Sequence, residues 1–231
     1  MDRLIDLAAE PYRAAGRFAH QFARGKLRGD PVFRAILERG LLQGCHSVLD
    51  LGCGQGLLTA WLRAARALEA EGAWPLIWPS APTVHCVRGI ELMESDVRRA
   101  RRALGADCNI SQGDIRSAEF GSHDAVVVFD VLHYLPEASH HHVLQRIRAA
   151  LPSGGRLLLR VGDADAGLRF RFGQITDQVV LFCRGHGFAK LHCRRAAAWR
   201  VLLAQCGFDS LPTPMSAGTP FANVLLTARA W

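Results

Sequence analysis

Three glycines spaced by single residues follow a short apolar run in Val48-Leu-Asp-Leu-Gly-Cys-Gly-Gln-Gly56, and no other stretch restricts the fold as much. Apolar residues on either side of Asp50 predict the end of a buried strand. Leu57, Leu58, Trp61, Leu62, Ala65 and Leu68 then recur at helical spacing. A strand, a tight glycine turn and a helix make a nucleotide-type site. Gly52, Gly54 and Gly56 admit positive φ and let a ligand lie on the backbone beside the first amides of the helix. A dinucleotide fingerprint needs its third glycine one place later, where Leu57 stands. Asp50, just before the turn, suits a cationic or hydrogen-bond-donating ligand better than a pyrophosphate.

Asp50-Leu-Gly-Cys-Gly-Gln-Gly56 resembles the first motif of class I S-adenosylmethionine-dependent methyltransferases, and later stretches extend the resemblance. Thr83-Val-His-Cys-Val-Arg-Gly-Ile-Glu-Leu92 predicts a second strand. It brings Glu91 to a carboxyl end, where a carboxylate can accept from two ribose hydroxyls, with Leu92 beside it to pack on an adenine face. Cys108 to Ile115 predict a short third strand ending in Gly113-Asp114. The resemblance implies that Asp114 accepts from the adenine amino group while Ile115 flanks the ring. Leu151-Pro-Ser-Gly-Gly155 before an apolar strand, Arg156 to Asp163, also looks like the family. The resemblance is strong over residues 45 to 163 and weaker in the C-terminal hairpin. It implies S-adenosyl-L-methionine as cofactor.

The expected fold is α/β: a Rossmann-like, doubly wound sheet of seven mostly parallel strands, antiparallel at one edge. Helices cover both faces and an N-terminal helical extension precedes it. The length of 231 residues suits one domain. Within it, residues 1–40 are the expected helical lid, 45–163 the cofactor core, 164–193 a substrate-side cover, and 194–231 a closing helix and hairpin. Arg24, Lys26 and Arg28 fall in an expected joint between two N-terminal helices, the second capped by Asp30-Pro31. Ser95 or Asp96 is the expected cap of the arginine-rich helix that Gly105 ends. Ala73 to Pro82, with three prolines and two tryptophans, reads as an inserted surface loop.

The fourth expected strand, Asp124 to Leu135, is the most apolar, as a central parallel strand requires. At its carboxyl end stand Asp130, expected near the methionine end of the cofactor, and His133 and Tyr134. His133 is the candidate general base or acceptor-orienting group, with an ordinary pKa near 6.5 suited to that task; Tyr134 is a second candidate. His140, His141 and His142 are consecutive on a helix start. Their side chains diverge by about 100° per residue, so no metal site is expected there.

Seven cysteines without a Cys-x-x-Cys pair read as reduced, buried small hydrophobes. The charged N-terminus and the lack of any long apolar run point to the cytoplasm and against a membrane span. A net charge of +7 leaves three kinds of acidic partner open: nucleic acid, an anionic small molecule or an acidic carrier protein. Arg98, Arg99, Arg101 and Arg102 sit opposite Val97, Ala100 and Leu104, as on a solvated helix face. Leu168-Arg-Phe-Arg-Phe172 can stack bases or cover an active site.

Phe129-Asp-Val-Leu-His-Tyr134 replaces the Asn-Pro-Pro-Tyr of amino-type nucleic-acid methyltransferases, and Pro-Cys is absent. Both departures favour a small-molecule acceptor over nucleic acid. Arg24 to Phe33, Val161-Gly-Asp163, Arg184-Gly-His186 and Gly218 to Val224 resemble bacterial methyltransferases of aryl-polyene pathways. That resemblance implies a hydroxyphenyl acceptor, free or carrier-bound, with His133 or His186 deprotonating it. The alternatives are an RNA methyltransferase using the basic surface and a non-catalytic partner-binding protein on the same fold.

Overall fold

The computed structural model describes residues 1–163 and 192–231. The chain divides into two compact units, Met1–Glu119 with His123–Ala125, and Phe120–Ser122 with Val126–Trp231. The expected features at Leu168 to Phe172, Arg184 and His186 lie outside the described residues.

The first unit opens with α1 (Asp2–Ala9), a 3₁₀ turn (Glu10–Ala15), α2 (Arg17–Gly29) and α3 (Pro31–Glu38). Arg24, Lys26 and Arg28 belong to α2, not to a joint. Gly25 costs a helix about 1 kcal/mol against alanine. The buried stripe Ala19, Ala23 and Leu27 carries the helix through it, leaving Gly25 on the exposed side. The break comes at Asp30, whose carboxylate accepts from the Val32 amide at 3.1 Å, with Pro31 opening α3.

Strand β1 (Ser47–Leu51) leads through the glycine turn into α4 (Leu57–Ala70), and every apolar position expected on its inner face is buried. After the Trp-Pro loop come β2 (Cys86–Glu91), α5 (Glu94–Leu104) and β3 (Ile110–Gln112), the three strands being parallel. Met93, not Ser95 or Asp96, precedes α5 as its N-cap. The Glu91 carboxylate takes the Met93 amide at 2.9 Å and starts the helix early. Gly105 ends α5 at φ +77° as expected.

The second unit holds β4 (Ala125–Phe129), α6 (Glu137–Ala149), β5 (Arg156–Gly162), α7 (Ala196–Gln205), β6 (Phe208–Pro214) and β7 (Asn223–Ala230). Strand β4 stops at Phe129, six residues before the expected end. Asp130 bends the chain at φ +58°, and Leu132–Tyr134 form a 3₁₀ turn. The strands form one seven-stranded sheet in the order β3-β2-β1-β4-β5-β7-β6. The antiparallel strand is β7, one place in from the β6 edge, and it pairs with both neighbours. Pro212 and Pro214 on β6 offer no amide for a further strand.

Candidate active site

In the first unit, β1 and β2 run in register with Leu51 opposite Ile90, which brings Glu91 level with the glycine turn. The Gly52 amide donates to the Ile90 carbonyl at 2.8 Å, and the Gly54 amide to Glu91 Oε2 at 2.9 Å. Gly52, Gly54 and Gly56 all have positive φ, between 55° and 77°, as the spacing predicted. Room is also tight at two positions: a Cβ on Gly56 would stand 2.7 Å from the terminal methyls of Ile110 and Leu104, which would have to shift, and one on Gly89 would stand 2.6 Å from Cys53 Sγ and 2.7 Å from Ile110 Cγ1. Gly54 is the opposite case: a Cβ there would meet nothing within 4 Å, so this backbone faces open space.

Two buried acids share the site. Glu91 holds two backbone amides, one per carboxylate oxygen, so each oxygen keeps a second lone pair for a hydroxyl donor. Asp50 is 6% exposed, and burial raises its pKa to about 7, helped by the negative charge of Glu91. A cationic ligand would return Asp50 to its ionised form; a phosphate would meet only repulsion. Cys53 packs under the turn with its thiol pKa pushed well up by burial and by Asp50, which makes it an inert hydrophobe rather than a nucleophile.

Leu92, Asp114 and Ile115 follow the carboxyl ends of the neighbouring strands. Leu92 is exposed and Ile115 buried. The Asp114 carboxylate caps the Arg116 amide and forms a forked ion pair with the Arg116 guanidinium, which holds its pKa below the usual carboxylate range. The Gly113 amide donates to the Glu91 carbonyl and fixes this loop to β2.

In the second unit, Asp130 does not stand alone. Arg160, 1% exposed on β5, grips its carboxylate through Nε at 2.9 Å and through Nη2, and the Asp130 amide donates back to the Arg160 carbonyl. His133 is also buried. Burial lowers its pKa to about 4 against the opposing pull of Asp130, so the ring is uncharged at neutral pH and is a far weaker base than its ordinary value suggested. Its ring lies 4.1 Å from that of Tyr134. His140 is fully buried; it donates from Nε2 to the Leu132 carbonyl at 2.8 Å, and its Nδ1 accepts from Arg194 Nε at 3.1 Å. It therefore braces the 3₁₀ turn that carries His133 and Tyr134. The basic helix α5 has partners too: Arg98 pairs with Glu94 and Arg99 with Asp96.

Sequence reading missed Tyr12, whose hydroxyl donates to the Gln55 carbonyl in the glycine turn at 2.8 Å, and Arg160. A lone arginine inside Leu157-Leu-Leu-Arg-Val161 was the available signal for the last, since a buried guanidinium demands an acid.

The model of a methyltransferase domain matches residues 7–212. The chain belongs to the methyltransferase-domain family. Carboxy-S-adenosyl-L-methionine synthase of Chromohalobacter salexigens is 34% identical over 129 residues, covering 54% of this chain and 42% of that protein. The synthase of the same name from Aliivibrio fischeri is 30% identical over 120 residues, 49% of this chain and 44% of its own. The chain thus spans less than half the length of these curated relatives. Mitomycin 7-O-methyltransferase superposes with a TM-score of 0.65 at 20% identity, over 99% of this chain and 60% of that one. Magnesium protoporphyrin IX methyltransferase from Synechocystis PCC 6803, solved with bound SAH, gives 0.59 at 19% identity over 100% and 97%. At these identities the structures share the family's fold. Among the described residues, no helix is long and apolar enough to cross a membrane.

Proposed function

We propose that the chain is an S-adenosylmethionine-dependent methyltransferase acting on a small molecule, with a hydroxyphenyl group as acceptor. The observation that carries this reading is the buried pair Asp50 and Glu91 around an open glycine turn, a site suited to a cationic ligand with hydroxyl donors. Bound S-adenosylmethionine would supply a methyl group already activated on a sulfonium. In this reading Glu91 accepts from the ribose hydroxyls, Asp114 and Ile115 take the adenine, and Leu92 closes over its other face. Gly52, Gly54 and Gly56 give the backbone close approach, and Asp50 supplies negative charge toward the cationic end.

The protein's work is then alignment and exclusion of water. His133 and Tyr134 orient the acceptor. An uncharged, buried imidazole supports hydrogen bonding to a phenol better than full deprotonation at neutral pH. Asp130 acts through its bond to Arg160, holding the turn on which His133 sits. Residues 1–40 serve as the lid, and the acceptor is presented free or on an acidic carrier protein in the cytoplasm.

Transfer of isotope-labelled methyl from S-adenosylmethionine to phenolic acids and carrier-bound phenolic acyl chains tests this. Labelled product and S-adenosylhomocysteine are expected. A second reading comes from the curated relatives, whose name states that they make carboxy-S-adenosyl-L-methionine. Mass spectrometry of the cofactor, in a parallel incubation that adds carboxylic acids as carboxyl donors, separates the two: a carboxylated cofactor with no methylated acceptor would favour it.

A further inference from the structure

Gln55 is the residue of the glycine turn to which no motif assigns a side-chain role. It is 3% exposed, and among the described residues its Oε1 has no hydrogen-bond donor. Its backbone is held on both sides. Tyr12, fully buried in the 3₁₀ turn of the N-terminal segment, donates from its hydroxyl to the Gln55 carbonyl at 2.8 Å, and the following Gly56 amide donates to Cys53 at 2.9 Å. The preceding Gly54 borders open space. A buried amide oxygen without a donor destabilises a fold, and a pinned, tightly turned backbone leaves it little freedom to find one elsewhere.

We infer that Gln55 is a ligand contact whose Oε1 accepts a hydrogen bond from the α-ammonium of the cofactor's amino-acid end. This rests on the S-adenosylmethionine reading. Once Glu91 takes the ribose hydroxyls and Asp114 the adenine amine, that ammonium is the cofactor's remaining donor. An acceptor already desolvated and fixed gains a full charge-assisted bond on binding. Tyr12 is then a positioning residue, because it sets the turn from which Gln55 acts.

The test is calorimetric titration of the full chain with S-adenosylhomocysteine and with 5′-methylthioadenosine, which lacks the amino-acid end, alongside thermal unfolding without ligand. Gln55→Met keeps length and removes the oxygen. It should weaken S-adenosylhomocysteine by about ten-fold or more, leave methylthioadenosine within about two-fold, and not lower the ligand-free melting temperature. Gln55→Glu, which retains an acceptor oxygen, should keep S-adenosylhomocysteine affinity within about ten-fold of the unaltered protein; where the methionine variant does not fold, a larger loss of S-adenosylhomocysteine in Gln55→Glu, with methylthioadenosine unchanged, overturns the inference. Unchanged S-adenosylhomocysteine affinity in Gln55→Met, or equal weakening of both ligands, overturns the inference while leaving the cofactor reading intact. If the unaltered protein binds neither ligand, the cofactor reading fails and this inference with it.

Discussion

Replacing Asp50 by asparagine should make the ligand-free protein more stable at neutral and alkaline pH, although the residue belongs to the proposed cofactor site. Asp50 is buried beside Glu91, and its pKa in the fold rises from 3.8 to about 7. The folded protein therefore binds a proton that the unfolded chain has released between those values, and stability falls as pH rises through that window. Ionising Asp50 in place then costs on the order of 4 kcal/mol once the pH exceeds its folded pKa. Asparagine has nearly the same shape and nothing to ionise. Urea unfolding at about pH 3.5, below the unfolded pKa, should find the two proteins nearly equal. At pH 8 the Asp50→Asn protein should lead by several kcal/mol, with the gap opening between about pH 4 and 7. The same variant should lose preference for the cationic cofactor over neutral S-adenosylhomocysteine, because the charge that favours a sulfonium is gone. A variant less stable than the parent at pH 8, or a gap that does not change with pH, would refute the reasoning.

His133 should behave with the opposite sign. Its folded pKa of about 4 lies below the ordinary 6.5, so stability is lost as pH falls from 6.5 toward 4, and His133→Gln should flatten that acid limb by roughly 3 kcal/mol in the same urea series. Arg160→Met removes the forked partner of the Asp130 carboxylate, which is 29% exposed, and should cost about 1–3 kcal/mol, part of it recovered when Asp130→Asn is added; a double-mutant cycle reads the coupling. Gly89→Ala drives a Cβ to 2.6 Å from Cys53 Sγ and 2.7 Å from Ile110 Cγ1, and should lower stability by about 1–3 kcal/mol through overpacking, read as a fall in melting temperature.

The strand–turn–helix geometry of the first unit was legible because its signals are local. Glycines at fixed spacing, an acid before them and another at the next strand's end are all consequences of one strand–turn–helix unit. The Asp50–Glu91 proximity follows from parallel pairing of adjacent strands. What escaped depends on contacts between distant residues. Tyr12 reaches Gln55 across 43 residues and Arg160 reaches Asp130 across 30, and neither leaves a periodic trace. The Arg160 guanidinium on the Asp130 carboxylate is one such contact, invisible in the sequence around Asp130. The basicity of His133 was misread on the same ground, since composition does not reveal burial. The α2 boundary failed differently: Gly25 argued locally for a joint, and the buried Ala19-Ala23-Leu27 stripe outweighed it.

The central claim, that the Asp50–Glu91 turn is a cofactor site, is tested most directly by titrating S-adenosylhomocysteine into the unaltered protein and into Glu91→Gln. One ligand should bind per chain, about ten-fold or more weakly when one acceptor oxygen of Glu91 is replaced. No binding heat from the unaltered protein, or identical affinity in the two, would contradict it.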